Sequence, residues 1–233
     1  MKGKIGIAFV IFAIAAGILG CDSSSDPVGD NVKPIVCLGD SLTEGYGASK
    51  TGSIDRTKSW PAFLQEKVTV TVENAGISGD TAAEGLARLN KDVLAKDPQM
   101  VIILLGGNDF LQRQPANEAK RNLQSIIDRT RGENRIIYLA SFIGDSSWEA
   151  AYFDIIPGTY ITEITAYLNE YKKIYSDLRA ENTDIGYIIN IWEGIGPSQM
   201  SDPIHPNAEG YRKMADNIFN EIKPHLQVNG LLK

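Results

Sequence analysis

The sequence has very few of the residues that bind metals or form disulfides. Among its 233 residues there are 2 His and 2 Cys. Two cysteines cannot build a disulfide framework, and with so few histidines and no spaced Cys pairs neither a metal site nor a metal cofactor is expected. Any reaction that needs an imidazole must use His205 or His225, so there are only two candidates for a histidine base.

The sequence also has no excess of positive charge. Its 23 Lys and Arg against 29 Asp and Glu give a formal net charge of -6, which argues against binding to nucleic acid or recruitment by an anionic membrane surface. Hydrophobic residues make up 43% of the chain and charged residues 22%. These fractions are typical of a globular protein with one large domain.

The amino terminus has the pattern of a secretion signal. Lys2 and Lys4 precede an uncharged run over residues 5–20. This run is shorter than the ~20 apolar residues of a comfortable membrane span and fits the core of a signal peptide. We therefore expect residues 1–20 to be a signal peptide that is removed, and the remaining chain to act outside the cytoplasm.

A cysteine directly follows the expected signal peptide. The segment Ile18-Leu19-Gly20-Cys21 resembles the lipobox of bacterial lipoproteins, and this resemblance implies lipidation of Cys21. The polar residues up to position 33 are expected to form a flexible tether, which predicts a lipid-anchored protein of the bacterial cell envelope, facing the periplasm or the exterior. The alternatives are an uncleaved signal anchor, or a soluble secreted protein in which Cys21 is incidental.

From residue 34 onward, short apolar runs alternate with longer segments of helical period. This alternation predicts an α/β fold built from βα units around a parallel sheet. We expect one domain over residues 34–227 and a short tail over 228–233. The predicted strands cover residues 35–38, 69–73, 100–105, 135–140 and 185–191. The most regular helical stripe, which we expect to be core, comprises Ile161, Ile164, Leu168, Tyr171, Tyr175 and Leu178.

Parallel strands present functional groups in the loops beyond their carboxyl ends. Unusual residues follow the first three predicted strands, and a further polar segment precedes the last helical stripe. These segments are Gly39-Asp40-Ser41-Leu42, residues 74–80, Gly106-Gly107-Asn108-Asp109 and residues 201–207. A parallel sheet would bring all four segments to one edge.

His205 has the surroundings of a catalytic base. A serine hydroxyl becomes a good nucleophile only when a neighbouring base takes its proton, and a carboxylate must orient that base. Asp202 lies three residues before His205, and Pro206 is placed to start the following helix. His225 has no nearby aspartate. Taken alone, the Asp202–His205 spacing is equally compatible with a capped helix entry.

The four segments together resemble the conserved blocks of the SGNH, or GDSL, hydrolases. The blocks are Gly39-Asp40-Ser41-Leu42, Gly76-Ile77-Ser78-Gly79-Asp80-Thr81, Gly106-Gly107-Asn108-Asp109 and Asp202-Pro203-Ile204-His205-Pro206. They occur in family order, and the resemblance extends over residues 34 to about 225. It is strongest to the branch of multifunctional thioesterase, arylesterase and lysophospholipase L1-like enzymes. The resemblance implies a flavodoxin-like, three-layer α/β/α sandwich with a five-stranded parallel sheet.

The resemblance also implies the roles of individual residues. Ser41 would be the nucleophile, His205 the general base and acid, and Asp202 the group that orients His205. The oxyanion donors would be the backbone N–H groups of Ser41 and Gly79 and the side-chain amide of Asn108. Gly79 lets a substrate carbonyl approach the backbone, and the Asn108 amide can donate a hydrogen bond. No cofactor is needed, and the substrate would be a small acyl ester or thioester.

Two other functions remain open at this stage. The same residues could remove acetyl groups from a carbohydrate, or the chain could be a lipid-anchored binding protein on an inherited hydrolase scaffold. The segment over residues 142–160 shows no motif of the family. We expect it either to cover the site as a lid or acyl-binding wall, or to pack on the core as a helix. For the oligomeric state, we expect a monomer.

Overall fold

Five β-strands form the centre of the structure. The computed structural model describes residues 33–132, 134–144 and 160–233. The strands are β1 (Ile35–Gly39), β2 (Val72–Gly76), β3 (Met100–Leu104), β4 (Ile136–Ala140) and β5 (Gly186–Ile188). They lie in the order β2-β1-β3-β4-β5, and every neighbouring pair is parallel. The predicted flavodoxin-like α/β fold is confirmed.

Helices cover both faces of this sheet. Within the described residues they are α1 (Ser41–Glu44), α2 (Trp60–Gln65), α3 (Ala82–Asp92), α4 (Gly107–Leu111), α5 (Ala116–Thr130), α6 (Ile161–Glu181) and α7 (Ala208–Val228). α5 packs between α3 and α6, whereas α2 packs against α7. In the part of the chain that is described, no helix is both long and apolar enough to cross a bilayer.

The core follows the predicted periodicity. Every residue of β1 and β3 is buried, as expected for central strands with helices on both faces. In α6 the predicted stripe is buried from Ile164 to Leu178, but Ile161, in the first turn, is 38% exposed. Each large apolar side chain contributes about 1.5–3 kcal/mol to folding stability when it is fully buried. The buried side chains of the sheet and of the helices therefore stabilise the part of the fold that carries the site.

The second strand lies three residues later than the sequence predicts. Val68 and Val70 are buried, which explains the apolar pattern, but Val68 pairs with Leu232 in an antiparallel bridge and not with β1. Strand β2 begins only at Val72. Asn74 and Gly76, expected in a loop, are therefore strand residues.

The fifth strand is shorter than predicted. Its pairing with β4 ends at Ile188, whereas the apolar run continues to Ile191. Ile189 is 54% exposed, and Ile191 and Trp192 are buried. The run continues because these last residues fill the core from a loop, which periodicity alone does not distinguish from a strand.

The start of α7 also differs from expectation. Its N-cap is Asn207, whose side-chain oxygen accepts the backbone N–H groups of Glu209 and Gly210 at 3.0 and 3.2 Å, so the helix does not start at Pro206. At the other end, the segment 228–233 turns back onto the fold. Leu231 is buried, and its carbonyl accepts the Thr69 N–H at 2.9 Å.

Candidate active site

The candidate site lies where the strand order reverses. β1 is flanked by β2 on one side and β3 on the other, and Gly39 at its carboxyl end aligns with Gly76 and Leu104. Connections that leave β1 and β3 at such a point pass to opposite faces of the sheet and leave a crevice between them. The first and third sequence motifs meet in this crevice.

Ser41 is the first residue of α1. The preceding Asp40 caps this helix, because its Oδ1 accepts the Leu42 backbone N–H at 3.0 Å. The turn is tight: a Cβ on Gly39 would lie 2.0 Å from Thr43 Oγ1 and 2.8 Å from the Leu104 carbonyl oxygen. Asp40 is buried, and burial raises its pKa to about 7. Asp40 thus braces the turn that presents Ser41.

His205 lies in a loop, residues 201–206, that we call the histidine loop. Asp202 Oδ1 accepts the backbone N–H groups of Ile204 and His205 at 2.9 and 2.8 Å. The other carboxylate oxygen, Oδ2, lies 2.7 Å from His205 Nδ1. The Ser201 N–H donates to the His205 carbonyl at 2.9 Å. One aspartate therefore both closes the loop and holds the imidazole.

The histidine loop places its imidazole against the start of α1. His205 Nε2 lies 3.0 Å from Ser41 Oγ, which is hydrogen-bond distance. The ring of Tyr46 lies 4.6 Å from the His205 ring and covers one side of it. Tyr46 is held in turn by Tyr211, whose hydroxyl donates to the Tyr46 carbonyl at 2.7 Å. Serine, histidine and aspartate thus form one continuous hydrogen-bonded line.

Asn108 is in α4, directly after β3. Its Nδ2 donates to the Asp80 carbonyl at 3.0 Å, which uses one of the two amide hydrogens. The next residue, Asp109, is buried, and its Oδ2 accepts the Ala82 N–H at the start of α3 at 2.8 Å. Burial raises the pKa of Asp109. α4 thus fixes the segment before α3 at two points.

That segment, residues 77–80, forms a turn that we call the Gly79 turn. The Asp80 N–H donates to the Ile77 carbonyl at 3.2 Å, and Gly79 has φ +91°. A positive φ at the third position is typical of a type II turn, which needs glycine there. A Cβ on Gly79 would meet nothing within 4 Å. Glycine is therefore favoured by backbone conformation in addition to the access for a substrate predicted above.

Arg88 of α3 ties this turn to the sheet. Its Nε donates to Asp80 Oδ2 at 2.5 Å, Nη2 to the Gly39 carbonyl at 2.8 Å and Nη1 to the Ala75 carbonyl at 2.7 Å. The two carbonyls belong to the carboxyl ends of β1 and β2. Burial raises the pKa of Asp80 despite the adjacent guanidinium.

A cleft opens beside Ser41, Asn108 and His205. Its other walls are mostly apolar. They include Leu42, Phe110, Leu111, Phe142, Trp192 and Ile204. Trp192 Nε1 donates to the Phe142 carbonyl at 2.8 Å, so two of these walls are fixed to each other. A polar reaction centre beside an apolar wall suits a substrate with a carbonyl group and an apolar chain.

Residues 37–213 match the model of the GDSL-like lipase/acylhydrolase family. The chain belongs to this family. It is 30% identical over 201 residues to the arylesterase of Vibrio mimicus, a match that covers 82% of this chain and 89% of the relative. It is 29% identical over 195 residues to the thioesterase 1/protease 1/lysophospholipase L1 of Escherichia coli K12, covering 82% and 83%.

The fold of this GDSL-family esterase also matches solved structures. The crystal structure of TesA superposes with a TM-score of 0.65 at 28% identity, covering 82% of this chain and 99% of that one. The predicted resemblance to the SGNH/GDSL hydrolases is thus confirmed, and the chain is a GDSL-type esterase.

Several site residues of the esterase do not follow from single motifs. Tyr46 and Trp192 reach the site from loops, so only the folded chain places them there. Phe142, the first residue of the segment expected to be a lid, an acyl-binding wall or a core helix, lines the cleft. His225 lies on α7, where its Nδ1 is 2.6 Å from the Tyr138 hydroxyl, away from Ser41. Among the described residues, no three His, Cys, Asp or Glu side chains are grouped as a metal site requires. Cys21 and residues 145–159 of the expected lid lie outside the described residues.

Proposed function

We propose that this esterase cleaves carboxylic esters or thioesters outside the cytoplasm through an acyl-enzyme formed on Ser41. The observation that carries the proposal is the line from Ser41 Oγ to His205 Nε2 at 3.0 Å and from His205 Nδ1 to Asp202 Oδ2 at 2.7 Å. This line ends in the cleft described above.

In the first half-reaction Ser41 Oγ attacks the substrate carbonyl carbon while its proton passes to His205 Nε2. Asp202 keeps Nδ1 protonated, so that Nε2 is the free base, and stabilises the imidazolium that forms. The imidazolium then gives its proton to the departing alcohol or thiol. The acyl group remains on Ser41 as an ester.

The carbonyl oxygen carries the negative charge between these steps. The backbone N–H groups of Ser41 and Gly79 and the side-chain amide of Asn108 are the donors that would stabilise it. Asn108 is oriented for this by its bond to the Asp80 carbonyl, which leaves its second amide hydrogen for the substrate.

The second half-reaction frees the acid. His205 takes a proton from a water molecule that attacks the acyl carbon, and returns it to Ser41 Oγ as the C–O bond breaks. Every proton that is removed is returned, so the reaction needs no cofactor.

The acyl group is proposed to lie along the apolar side of the cleft. Leu42, Phe110, Phe142 and Ile204 offer hydrocarbon surface there, and among the described lining residues the ionisable side chains are those of Asp40 and His205. The names of the two relatives, an arylesterase and a thioesterase/lysophospholipase, support aryl esters, acyl thioesters and lysophospholipid-like esters as substrates.

Covalent labelling tests the role of Ser41 directly. A fluorophosphonate probe should form a stable adduct on Ser41, identified by peptide mass spectrometry, and Ser41→Ala should not be labelled. If the folded protein, checked by circular dichroism, is not labelled, the acyl-enzyme proposal is wrong and the non-catalytic binding protein is favoured.

A chain-length series tests the substrate class. Nitrophenyl esters from acetate to dodecanoate, with matching thioesters, should show activity beyond butanoate because the cleft wall is apolar. Activity that peaks at acetate and vanishes by octanoate would instead favour a carbohydrate O-acetyl esterase.

The proposed location is the bacterial cell envelope, through a lipid on Cys21. Its support is the lysine-flanked apolar run before Cys21 and the polar tether after it. Metabolic labelling with a fatty acid should mark the wild type and not Cys21→Ser. An unlabelled wild-type protein would contradict the anchor without affecting the proposed chemistry.

A further inference from the structure

Glu44, the last residue of α1, connects the helix that carries Ser41 to the Gly79 turn. Its Oε2 accepts both the backbone N–H of Ser78, at 2.8 Å, and the Ser78 hydroxyl, at 2.6 Å. Ser78 directly precedes Gly79. Burial opposes ionisation of Glu44, but the Ser78 and Arg56 donors outweigh it and lower its pKa. Glu44 is therefore a carboxylate at neutral pH.

Arg56 binds the second carboxylate oxygen of Glu44 and links it to β2. Its Nη2 donates to Glu44 Oε1 at 2.6 Å and to the Gly76 carbonyl at 2.7 Å, and its Nη1 donates to the Asn74 carbonyl at 3.1 Å. Both carbonyls are in the last part of β2. We call Glu44, Arg56 and Ser78 the clamp.

The clamp acts on a contact that is already tight. A Cβ on Gly76 would lie 2.2 Å from the backbone nitrogen of Glu44, so the end of β2 rests directly on the end of α1. Beyond Gly76, however, the turn is open: Ile77 is 42% exposed and nothing lies within 4 Å of a Cβ on Gly79. In the described part of the chain, hydrogen bonds rather than side-chain packing at Ile77 and Gly79 therefore fix the direction of the Gly79 N–H.

The central peptide of a four-residue turn is its most easily rotated part, since types I and II differ mainly in the direction of that peptide. In the Gly79 turn this peptide joins Ser78 to Gly79 and carries the Gly79 N–H. The clamp holds Ser78 at its N–H and its hydroxyl, on one side of the peptide. The Asp80 N–H, bonded to Ile77 O, holds the other side.

We propose that Glu44 is a positioning residue for ester hydrolysis, which, together with Arg56, holds the Gly79 N–H in the direction of the oxyanion. The inference rests on the proposed function, because it assumes that the oxyanion forms between Ser41 and the Gly79 turn. Glu44 does not touch the substrate. It acts through Ser78, and its effect is confined to the transition state.

The test compares Glu44→Ala, Glu44→Gln and Ser78→Ala with Glu66→Ala. Glu66, directly after α2, also forms an ion pair with an arginine, Arg212, at 2.7 Å, so its loss controls for removal of a carboxylate away from the site. Glu44→Ala should lower kcat by roughly 10-fold or more with KM changed less than about 2-fold. Glu44→Gln, which keeps an acceptor oxygen, should retain most of the activity. Ser78→Ala should fall between them, and Glu66→Ala should match the wild type.

A transition-state analogue separates positioning from general stability. An aryl trifluoromethyl ketone adds reversibly to a nucleophilic serine and places an oxyanion on the former carbonyl oxygen. Its inhibition constant should rise for Glu44→Ala in proportion to the fall in kcat. If Glu44→Ala lowers only the melting temperature, or raises KM with kcat unchanged, Glu44 has no positioning role.

Labelling distinguishes failure of the clamp from failure of the proposed function. A wild-type protein that is labelled on Ser41, with Glu44→Ala and Ser78→Ala both hydrolysing esters at the wild-type rate, overturns the clamp alone. A wild-type protein that is not labelled overturns the function on which it rests. Should Glu44→Ala not fold, Ser78→Ala decides, with an expected loss of roughly 3-fold or more in kcat.

Discussion

The histidine loop and the Gly79 turn are stabilised in opposite ways. The histidine loop is closed by its own Asp202, which binds two backbone N–H groups and the imidazole within four residues of chain. The Gly79 turn has one internal hydrogen bond. Its Ile77 N–H donates to the Gly39 carbonyl of β1 at 3.1 Å. Further contacts come from Glu44, Arg88, Asn108 and Gln112, in or next to three different helices.

This difference predicts how each of the two segments responds when the surrounding fold shifts. A loop that closes on its own side chain keeps its shape if the surrounding fold shifts slightly. A turn held from several elements keeps its position only while those elements keep their mutual distances. We therefore expect substitutions in the histidine loop to affect chemistry abruptly, and substitutions around the Gly79 turn to reduce activity in graded steps.

The largest effect is expected for Asp202→Asn. The amide oxygen can still accept the two loop N–H groups, so the loop should keep its shape, but the amide nitrogen would face His205 Nδ1 and favour the wrong tautomer. We expect kcat to fall by about 10³- to 10⁴-fold, with the melting temperature almost unchanged. A loss below 10-fold in steady-state kinetics would show that Asp202 does not orient the base.

A smaller loss is expected for Asn108→Ala. Removal of one oxyanion donor typically costs about 10²- to 10³-fold in kcat, or about 2.7–4 kcal/mol. Gln112→Ala is the matched control, because Gln112 also donates to the Gly79 turn, at 3.4 Å to the Gly79 carbonyl, but from an exposed position. Its activity should stay within about 3-fold of wild type. If Asn108→Ala lost more activity than Ser41→Ala, the assigned roles would be wrong.

Gly79→Ala should reduce kcat less than Asn108→Ala does. No atom obstructs the new methyl group, but an L-residue at positive φ costs about 1–2 kcal/mol, which favours rotation of the peptide that carries the Gly79 N–H. We expect a fall in kcat of roughly 10-fold.

The control for this substitution is Gly230→Ala. Gly230 also has positive φ, +66°, and open space around a Cβ, but it follows α7 far along the chain from the site. Denaturant unfolding should show a similar loss of stability for both variants, while only Gly79→Ala loses activity. Equal activity of the two would contradict a role for the Gly79 N–H.

The last prediction concerns stability and not activity, namely the pH dependence of the free energy of unfolding through Asp40. Its folded-state pKa of about 7 lies above the value near 3.9 of an unfolded aspartate, so the folded state binds more protons between these pH values. The free energy of unfolding should therefore fall as pH rises from about 4 to 7, by at most about 4 kcal/mol.

Asp40→Asn keeps a capping side chain without the charge and should flatten this dependence. Urea unfolding of both proteins at pH 5 and pH 8 measures it. An identical pH dependence in the two proteins would show that the Asp40 carboxylate is not destabilised by burial.

The parts of the site that depend on short stretches of chain follow from the sequence. The Asp202–His205 spacing is itself the contact that closes the histidine loop, and Asp40 next to Ser41 is itself the cap of α1. The order of apolar runs specifies the α/β fold, because strands buried on both faces and amphipathic helices have different periods. The second strand lies three residues later than predicted because the apolar run begins at buried residues that are not in the sheet, and Val68 pairs with Leu232 of the carboxyl-terminal segment.

By itself, the sequence determined the fold class, the family and the residues of the two short loops. The fold class and the loops have a local physical basis, since periodicity, capping and turn geometry act over a few residues, whereas the family followed from the resemblance of the four motifs. The tertiary structure alone decided which strands are neighbours, and hence that Ser41, Asn108 and His205 share one cleft. It also decided that Glu44 and Arg88 reach the Gly79 turn and that Arg56 reaches the end of β2, since long side chains contact residues 13 to 49 positions away only after the sheet has brought its strand ends together.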